Sequence, residues 1–229
     1  MLYIKHNPQI YIDGILVERI GELSMERSFK YVGVKIDENI NFKEHVEHVH
    51  RKINKAMYCI RQQKRMLPLK TKLLLYNGLV KCHLDYCNII WGHTSDSILK
   101  RLKIQQKKTI RCIAGLEYNA HTHGMFCKLN VMKLEQITTY QTIMTAYRIF
   151  NSLAPKGVLA DFQIKENNIN TRAHYLLEDS VTKMECVRRL PMFNIKKSWN
   201  SLKESLKKEC SYEGFKTKIQ LSLKNPSFP

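Results

Sequence analysis

The chain has 229 residues, enough for one large or two small cores, and its 44% apolar content is too high for a disordered tail. It carries 38 Lys and Arg against 20 Asp and Glu, a formal net charge of +18. Such an excess opposes compaction and points to a polyanion, nucleic acid before an anionic membrane surface. Seven cysteines, with no apolar leader in residues 1–13, suit reduced thiols in an intracellular compartment; nuclear and cytoplasmic residence both stay open. No apolar run approaches the roughly 20 residues of a bilayer span, so no membrane partner is expected.

Residues 9–37 read as β. Ile10 and Ile12 alternate, Asp13-Gly14 marks a tight turn, and Leu16 and Val17 resume. Phe29, Tyr31, Val32, Val34 and Ile36 make a second β-rich run interrupted by Gly33. A glycine there fits a bulge or a close backbone approach, and a plain edge hairpin fits equally.

Asn41 is a good N-cap, with Glu44 at capping-box spacing. Phe42, Val46, Val49, Ile53, Met57 and Ile60 then recur three and four apart, which predicts an amphipathic helix to near Arg65. Leu73–Gly92 is the most apolar window. As one helix it would gather Leu73, Leu74, Tyr76, Leu79, Val80, His83, Leu84 and Cys87 on one broad face. A third helix is predicted from a Ser95 cap to Gly115, with Ile98, Leu102, Gln105, Thr109, Ile110 and Ile113 on one side. Thr122 caps a short helix through Met125, Phe126 and Leu129. A longer helix runs from about Lys133 to Ser152, facing inward with Leu134, Ile137, Gln141, Met144 and Arg148 or Ile149. Residues 157–190 are polar and weakly periodic and read as a linker or loosely ordered loop. Order returns with Met192, Phe193, Ile195 and Trp199. Ser211 caps a last helix carrying Phe215, Ile219 and Leu223.

From Arg51 to Lys81 there are nine Lys and Arg and no acid. Ordinary solvated helices mix signs, so these faces are expected to meet phosphates. The expected nucleic-acid-binding residues are Arg51, Lys52, Lys55, Arg61, Lys64, Arg65, Lys70, Lys72, Lys107, Lys108 and Arg111. Tyr58 and Tyr76 lie among them and could stack on bases or sugars. Two thiol–imidazole groups, Cys82/His83/Cys87 and His121/His123/Cys127, match no common zinc spacing and read better as core cysteines with partly buried histidines. His45 and His48 share a helix face, but Glu44 and Glu47 interleave them, so exposed pH-sensitive charge is the better reading. No Asp-Asp pair, Gly-rich phosphate loop or nucleophile pair is present, so neither catalytic nor metal residues are expected.

The strings KYVGVKIDENINFKEHVEHVHRKI (Lys30–Ile53), LPLKTKLLLYNGLVKCHLDYCNIIWG (Leu67–Gly92) and LKRLKIQQKKTIRCIAG (Leu99–Gly115) resemble, in order, the end of the palm and the thumb of reverse transcriptases of non-long-terminal-repeat retrotransposons of jockey and LINE type. The likeness continues through AHTHGMFCKLNVMKLEQI (Ala120–Ile137), NTRAHYLL (Asn170–Leu177) and KKSWNSLK (Lys196–Lys203). The resemblance implies a fingers–palm–thumb polymerase whose Tyr-x-Asp-Asp motif would precede Met1. Mg²⁺ would then serve only the complete polymerase. It also implies that the Gly33 strand lies near the primer end and that the helices from Phe42 to Gly115 run along the template–primer duplex.

The expected fold is mainly α with a small N-terminal β hairpin: a helical thumb-like bundle followed by a helical C-terminal region. The expected organisation is a β segment (1–40), a thumb-like domain (41–116), a helical extension (117–156), the linker (157–190) and a C-terminal segment with a terminal helix (191–229). The expected role is that of a non-catalytic distal fragment of an RNA-directed DNA polymerase. It would bind RNA or RNA–DNA duplex and work with upstream polymerase domains in the same or another chain. The alternative is a helical protein-interaction module or remnant.

Overall fold

The computed structural model describes residues 10–12, 15–17, 28–37, 39–160, 162, 177, 185–207 and 211–224. The architecture is mainly α, with short antiparallel β structure near the N-terminus. Strands β1 (Ile10–Ile12) and β2 (Ile15–Val17) pair Ile10 with Val17 and Ile12 with Ile15. The expected Asp13-Gly14 turn between them lies outside the described residues.

The second β-rich run is a hairpin. Strands β3 (Ser28–Tyr31) and β4 (Val34–Asp37) pair Phe29 with Ile36 and Lys30 with Lys35. Val32 and Gly33 form the turn, with φ of 44° and 81°. Two successive positive φ values are the type I′ signature, whose twist matches that of the strands. Gly33 is thus a turn residue and not a bulge. It is also approached closely: an added Cβ would sit 3.3 Å from the Tyr86 ring. The Tyr86 hydroxyl donates to the Val32 carbonyl at 2.6 Å.

Helix α1 (Lys43–Gln62) buries His45, Val46, Val49, Ile53, Ala56 and Ile60, the predicted stripe, but ends three residues early. Its start differs from the expected capping box. Phe42 precedes it with φ 56°, and the Asp37 carboxylate accepts from the Asn39 and Asn41 amides at 3.1 and 3.0 Å. The Asn41 side chain accepts from Lys43 N–H at 2.9 Å. Glu44 turns to the hairpin, where Ser28 Oγ donates to it at 2.5 Å and Lys35 lies 3.7 Å away.

The apolar window Leu73–Gly92 is not one helix. Helix α2 (Leu69–Tyr76) runs into a π-helical stretch (Asn77–Lys81), then α3 (Cys82–Asp85). Tyr86 turns extended, with ψ 117°, and Cys87 has φ 48° before α4 (Asn88–Trp91). The Trp91 indole N–H donates to the Tyr86 carbonyl at 3.0 Å and holds this break. The inward row is Tyr76, Val80, Leu84, Asn88 and Trp91, all fully buried. Leu74 and Leu79, expected on that face, point to solvent.

Helix α5 (Asp96–Ala114) follows the expectation closely. Leu102, Gln105, Thr109, Ile110 and Ile113 are buried, and Gly115 closes it at φ 71° while Leu116 N–H returns to the Arg111 carbonyl at 3.0 Å. Helix α6 (His123–Lys128) buries Phe126. Helix α7 (Leu134–Phe150) begins with Lys133 N–H bonded to Gln136 Oε1 at 2.8 Å. It is buried on more than one side, because two cores share it. Leu134 and Ile137 join α1–α5 in the first core. Ile143, Ala146, Tyr147 and Ile149 join the second.

That second core gathers α10 (Pro191–Asn200) and α12 (Tyr212–Lys224) on α7. Tyr147 stacks on Phe215 with centroids 4.3 Å apart, and Phe150 on Trp199 at 4.9 Å. Such pairs add about 0.5–1.5 kcal/mol beyond their burial. Ser211 supports α12 as expected, accepting from Gly214 N–H at 3.4 Å. Short helices α8 (Lys156–Leu159), α9 (Glu185–Arg189) and α11 (Glu204–Lys207) complete the described elements. Leu177, within the stretch expected to be a loop, is buried. Asn200 clamps its backbone, accepting from its N–H at 3.0 Å and donating to its carbonyl at 2.9 Å.

Candidate nucleic-acid interface

The buried stripe of α1 leaves the opposite side to solvent. Arg51, Lys52, Lys55 and Arg61 stand there exposed, with Tyr58 63% exposed among them. Arg65 and Lys70 are exposed in and beyond the turn that follows, and Lys64 and Lys72 are half-buried. Among the described residues, none of these eight cations is in an ion pair. Tyr76 is no stacking platform. It is fully buried, its hydroxyl accepts from Gln106 Nε2 at 2.9 Å, and burial pushes its pKa above the usual phenol value.

The first turns of α1 are different in character. Arg101 of α5 pairs with Glu47 at 3.0 Å. On α5, Lys103 is held between Asp96 and Glu135 of α7. Arg101 and Lys103 thus meet carboxylates from α1 and α7, and Lys103 also meets one from the first turn of α5 itself. Lys108 lies 5.9 Å from the Tyr118 ring centroid, and Arg111 Nε donates to the Ala120 carbonyl at 2.8 Å. Lys107 and Arg111 line a cleft to which α5, α6, α7 and their connections contribute, but α1 and α2 do not.

The fold adds cations that the sequence reading left out. Lys30 and Lys35 sit directly opposite on the hairpin ladder, an arrangement that like charges disfavour. His48 on α1 is held below its ordinary pKa by burial first, then by Lys52, Lys35, Arg51 and Lys30. His83, on α3, is lowered by burial and by Lys52. Hairpin and α1 thus bring one sign of charge together, and His48 and His83 both feel it. The Lys30–Lys35 pairing was accessible in principle, because a two-residue turn at Val32-Gly33 sets that register. His45, expected as exposed charge beside His48, is instead buried against Trp91, with ring centroids 5.6 Å apart. It accepts from the Lys35 N–H at 3.3 Å, and burial lowers its pKa to about 4.

The cysteine groups follow expectation only in part: Cys87 packs against the first core and His83 is half-buried. Cys82 and Cys127 are exposed thiols rather than core, bonded to the Gly78 and Lys224 carbonyls at 2.8 and 3.8 Å. Among the described residues, no three His, Cys, Asp or Glu side chains are grouped to hold a metal ion, and no helix is long and apolar enough to cross a membrane.

No protein-family model and no solved structure matches the chain. Three curated relatives do. The chain is 28% identical over 114 residues to the probable RNA-directed DNA polymerase from transposon X-element of Drosophila melanogaster, covering 48% of this chain and 12% of that protein. It is 27% identical over 134 residues to the RNA-directed DNA polymerase from mobile element jockey of Drosophila funebris, covering 57% and 14%. The jockey polymerase of Drosophila melanogaster matches at 24% over 131 residues, covering 56% and 14%. The matched segments thus span 12–14% of these relatives' length. Over about half of its length the chain is similar to the RNA-directed DNA polymerases of jockey and X-element retrotransposons.

Proposed function

We propose that this chain is a distal, non-catalytic part of a reverse transcriptase and grips template–primer duplex by its phosphates. The single observation that carries this reading is the set of eight cations from Arg51 to Lys72, none ion-paired among the described residues and all presented from α1, α2 and their connection. Cations along a helix meet successive phosphates and release counterions, without reading sequence. Lys30 and Lys35 carry the same field onto the hairpin, where it helps hold the His48 pKa below its ordinary value. Exposed Phe29, Tyr31 and Tyr58 offer stacking surface beside it. The chain's own contribution is positional: it holds an RNA–DNA or RNA duplex while polymerase domains in the same or another chain do the chemistry. The described residues offer no metal-holding group, so no step at Mg²⁺ is assigned to them.

The test is a salt titration of RNA–DNA duplex binding. Each neutralised phosphate contributes about 0.9 to the slope of log K against log salt. Replacing Lys52, Lys55, Arg61, Lys64 and Lys72 with Gln should weaken binding alike for unrelated sequences and flatten the slope by several units. An unchanged slope overturns the reading. A second reading, a helical protein-interaction module, draws on Met66, Leu69 and Leu74, which are 80%, 47% and 63% exposed. It predicts duplex binding that salt hardly affects.

A further inference from the structure

The cleft beside α5 has a different character from the open cationic face. Its volume is about 290 Å³. Lys103, Lys107 and Arg111, four apart on α5, form one wall; His121, His123 and Lys133 form the other. Phe126 and Leu134, both buried, supply apolar lining. Among the described residues Glu135 is the lone carboxylate there, and Lys103 engages both it and Asp96.

The remaining donors are oriented rather than consumed. Arg111 is pinned through Nε to the Ala120 carbonyl, which leaves its terminal nitrogens without a partner among the described residues. Lys133 Nζ lies 3.0 Å from His123 Nδ1. An ammonium can only donate, so Nδ1 accepts, and the His123 Nε2–H becomes a further donor. Lys107 is exposed and unpaired among the described residues. The walls are braced by Gln106, buried between them. Its Nε2 donates to the Tyr76 hydroxyl and to the Met132 carbonyl, each at 2.9 Å, and its Oε1 accepts from Leu134 N–H at 3.0 Å. The start of α7 is thereby fixed to α5 before any ligand arrives.

We propose that this cleft binds a terminal phosphate, the monoester group at the end of a nucleic-acid strand or on a nucleotide. A monoester carries about −1.5 to −2 charge and three acceptor oxygens, which matches convergent Lys107, Arg111 and Lys133. A diester carries one charge and must continue on both sides, which suits the open face of α1 better than a recess of this size. The inference stands apart from duplex binding by α1 and α2, whose residues do not line the cleft.

The test compares one short single strand bearing a 5′-phosphate, a 3′-phosphate or only hydroxyl ends, bound to the full chain at moderate salt. A phosphorylated end should tighten binding about tenfold, the scale of a charge-assisted contact. Adenosine monophosphate should compete with it. Lys107→Gln, at an exposed position where folding is safe, and Arg111→Gln should each reduce the ratio toward one. Lys52→Gln with Lys55→Gln should weaken all three strands alike and keep the ratio, which separates failure of the cleft from failure of the α1 face. Preference for a 5′ or a 3′ end, or equal competition by the free nucleotide, tells which source of monoester the site takes. Equal affinity for phosphorylated and hydroxyl ends, or a ratio unaltered by both cleft variants, overturns the proposal.

Discussion

Two glycine-to-alanine substitutions should move stability in opposite directions. Gly92, which closes α4, has φ −69° and ψ −15°, a backbone that alanine adopts freely. Space is the obstacle. A Cβ there would sit 2.5 Å from Asn88 Oδ1, 2.6 Å from the Asn88 carbonyl oxygen and 2.7 Å from Thr138 Oγ1. None of these can retreat easily. Asn88 is fully buried, and Thr138 is tied to the Leu134 carbonyl at 3.1 Å. Overpacking costs about 1–3 kcal/mol, and this site belongs at the upper end. For a chain of this size the midpoint of thermal unfolding should fall by about 4–12 °C. Gly78, in the π-helical stretch, has nothing among the described residues within 4 Å of its added Cβ. There alanine removes only glycine's entropic cost, about 0.5–1 kcal/mol, and should raise the midpoint by about 1–4 °C. Circular dichroism at 222 nm through a thermal ramp reads both. If Gly92→Ala melts at or above the parent, the close packing of α4 on α7 is refuted; if Gly78→Ala melts below it, the open space at the π-helical stretch is.

Asn88 buries its amide oxygen and nitrogen without a hydrogen-bond partner among the described residues, so Asn88→Leu, similar in shape, should stabilise by about 1–3 kcal/mol in urea unfolding; a loss would mean the amide is satisfied in solution. Tyr86→Phe removes the bond to the Val32 carbonyl and should speed amide exchange across residues 28–37. Unchanged exchange there would show that the hydroxyl does not hold the hairpin. His45 and His93 both have folded pKa values of about 4 against 6.5, through burial above all. The unfolded chain therefore takes up protons first as the pH falls. Stability should be full above about pH 6.5 and drop between there and pH 4. Equal urea midpoints at pH 7 and pH 5 would count against that burial.

Where local chemistry decides the outcome, the sequence was a good guide. The α5 stripe with its buried Gln105 and Thr109, the Gly115 stop, and the Phe215–Ile219–Leu223 row on α12 all follow from spacing and capping. The readings failed where a distant partner decides. Asn41 and Glu44 have capping-box spacing, yet Ser28, 16 residues earlier on the hairpin, claims Glu44, while Asp37 just upstream takes the Asn41 amide. The break at Tyr86–Cys87 depends on a hydroxyl bond across 54 residues and on the Trp91 indole. For the candidate interface, α1 and α2 expose their cations as charge patterning implied. Glu47, facing Arg101, and Glu135, facing Lys103, come from other helices, and adjacency in sequence could not reveal them; Asp96, the second carboxylate on Lys103, stands in the first turn of α5 itself. The hairpin lysines escaped notice because each reads as an isolated charge until the strands are paired.

The π-helical stretch sets a rule for how this region can change. Residues four apart on an α-helix drift by about 40° per step, so a long row of fours should wander off its face. The wider turn at Asn77–Lys81 rotates the other way and keeps Tyr76, Val80 and Leu84 in line. Removing one residue there would restore an ordinary helix and swing everything after it by about 100°. Leu84 and Trp91 would leave the core together. Substitutions inside the stretch are tolerable one at a time, whereas a change of length by a single residue is not, so homologous chains should vary in side chain there and agree in spacing.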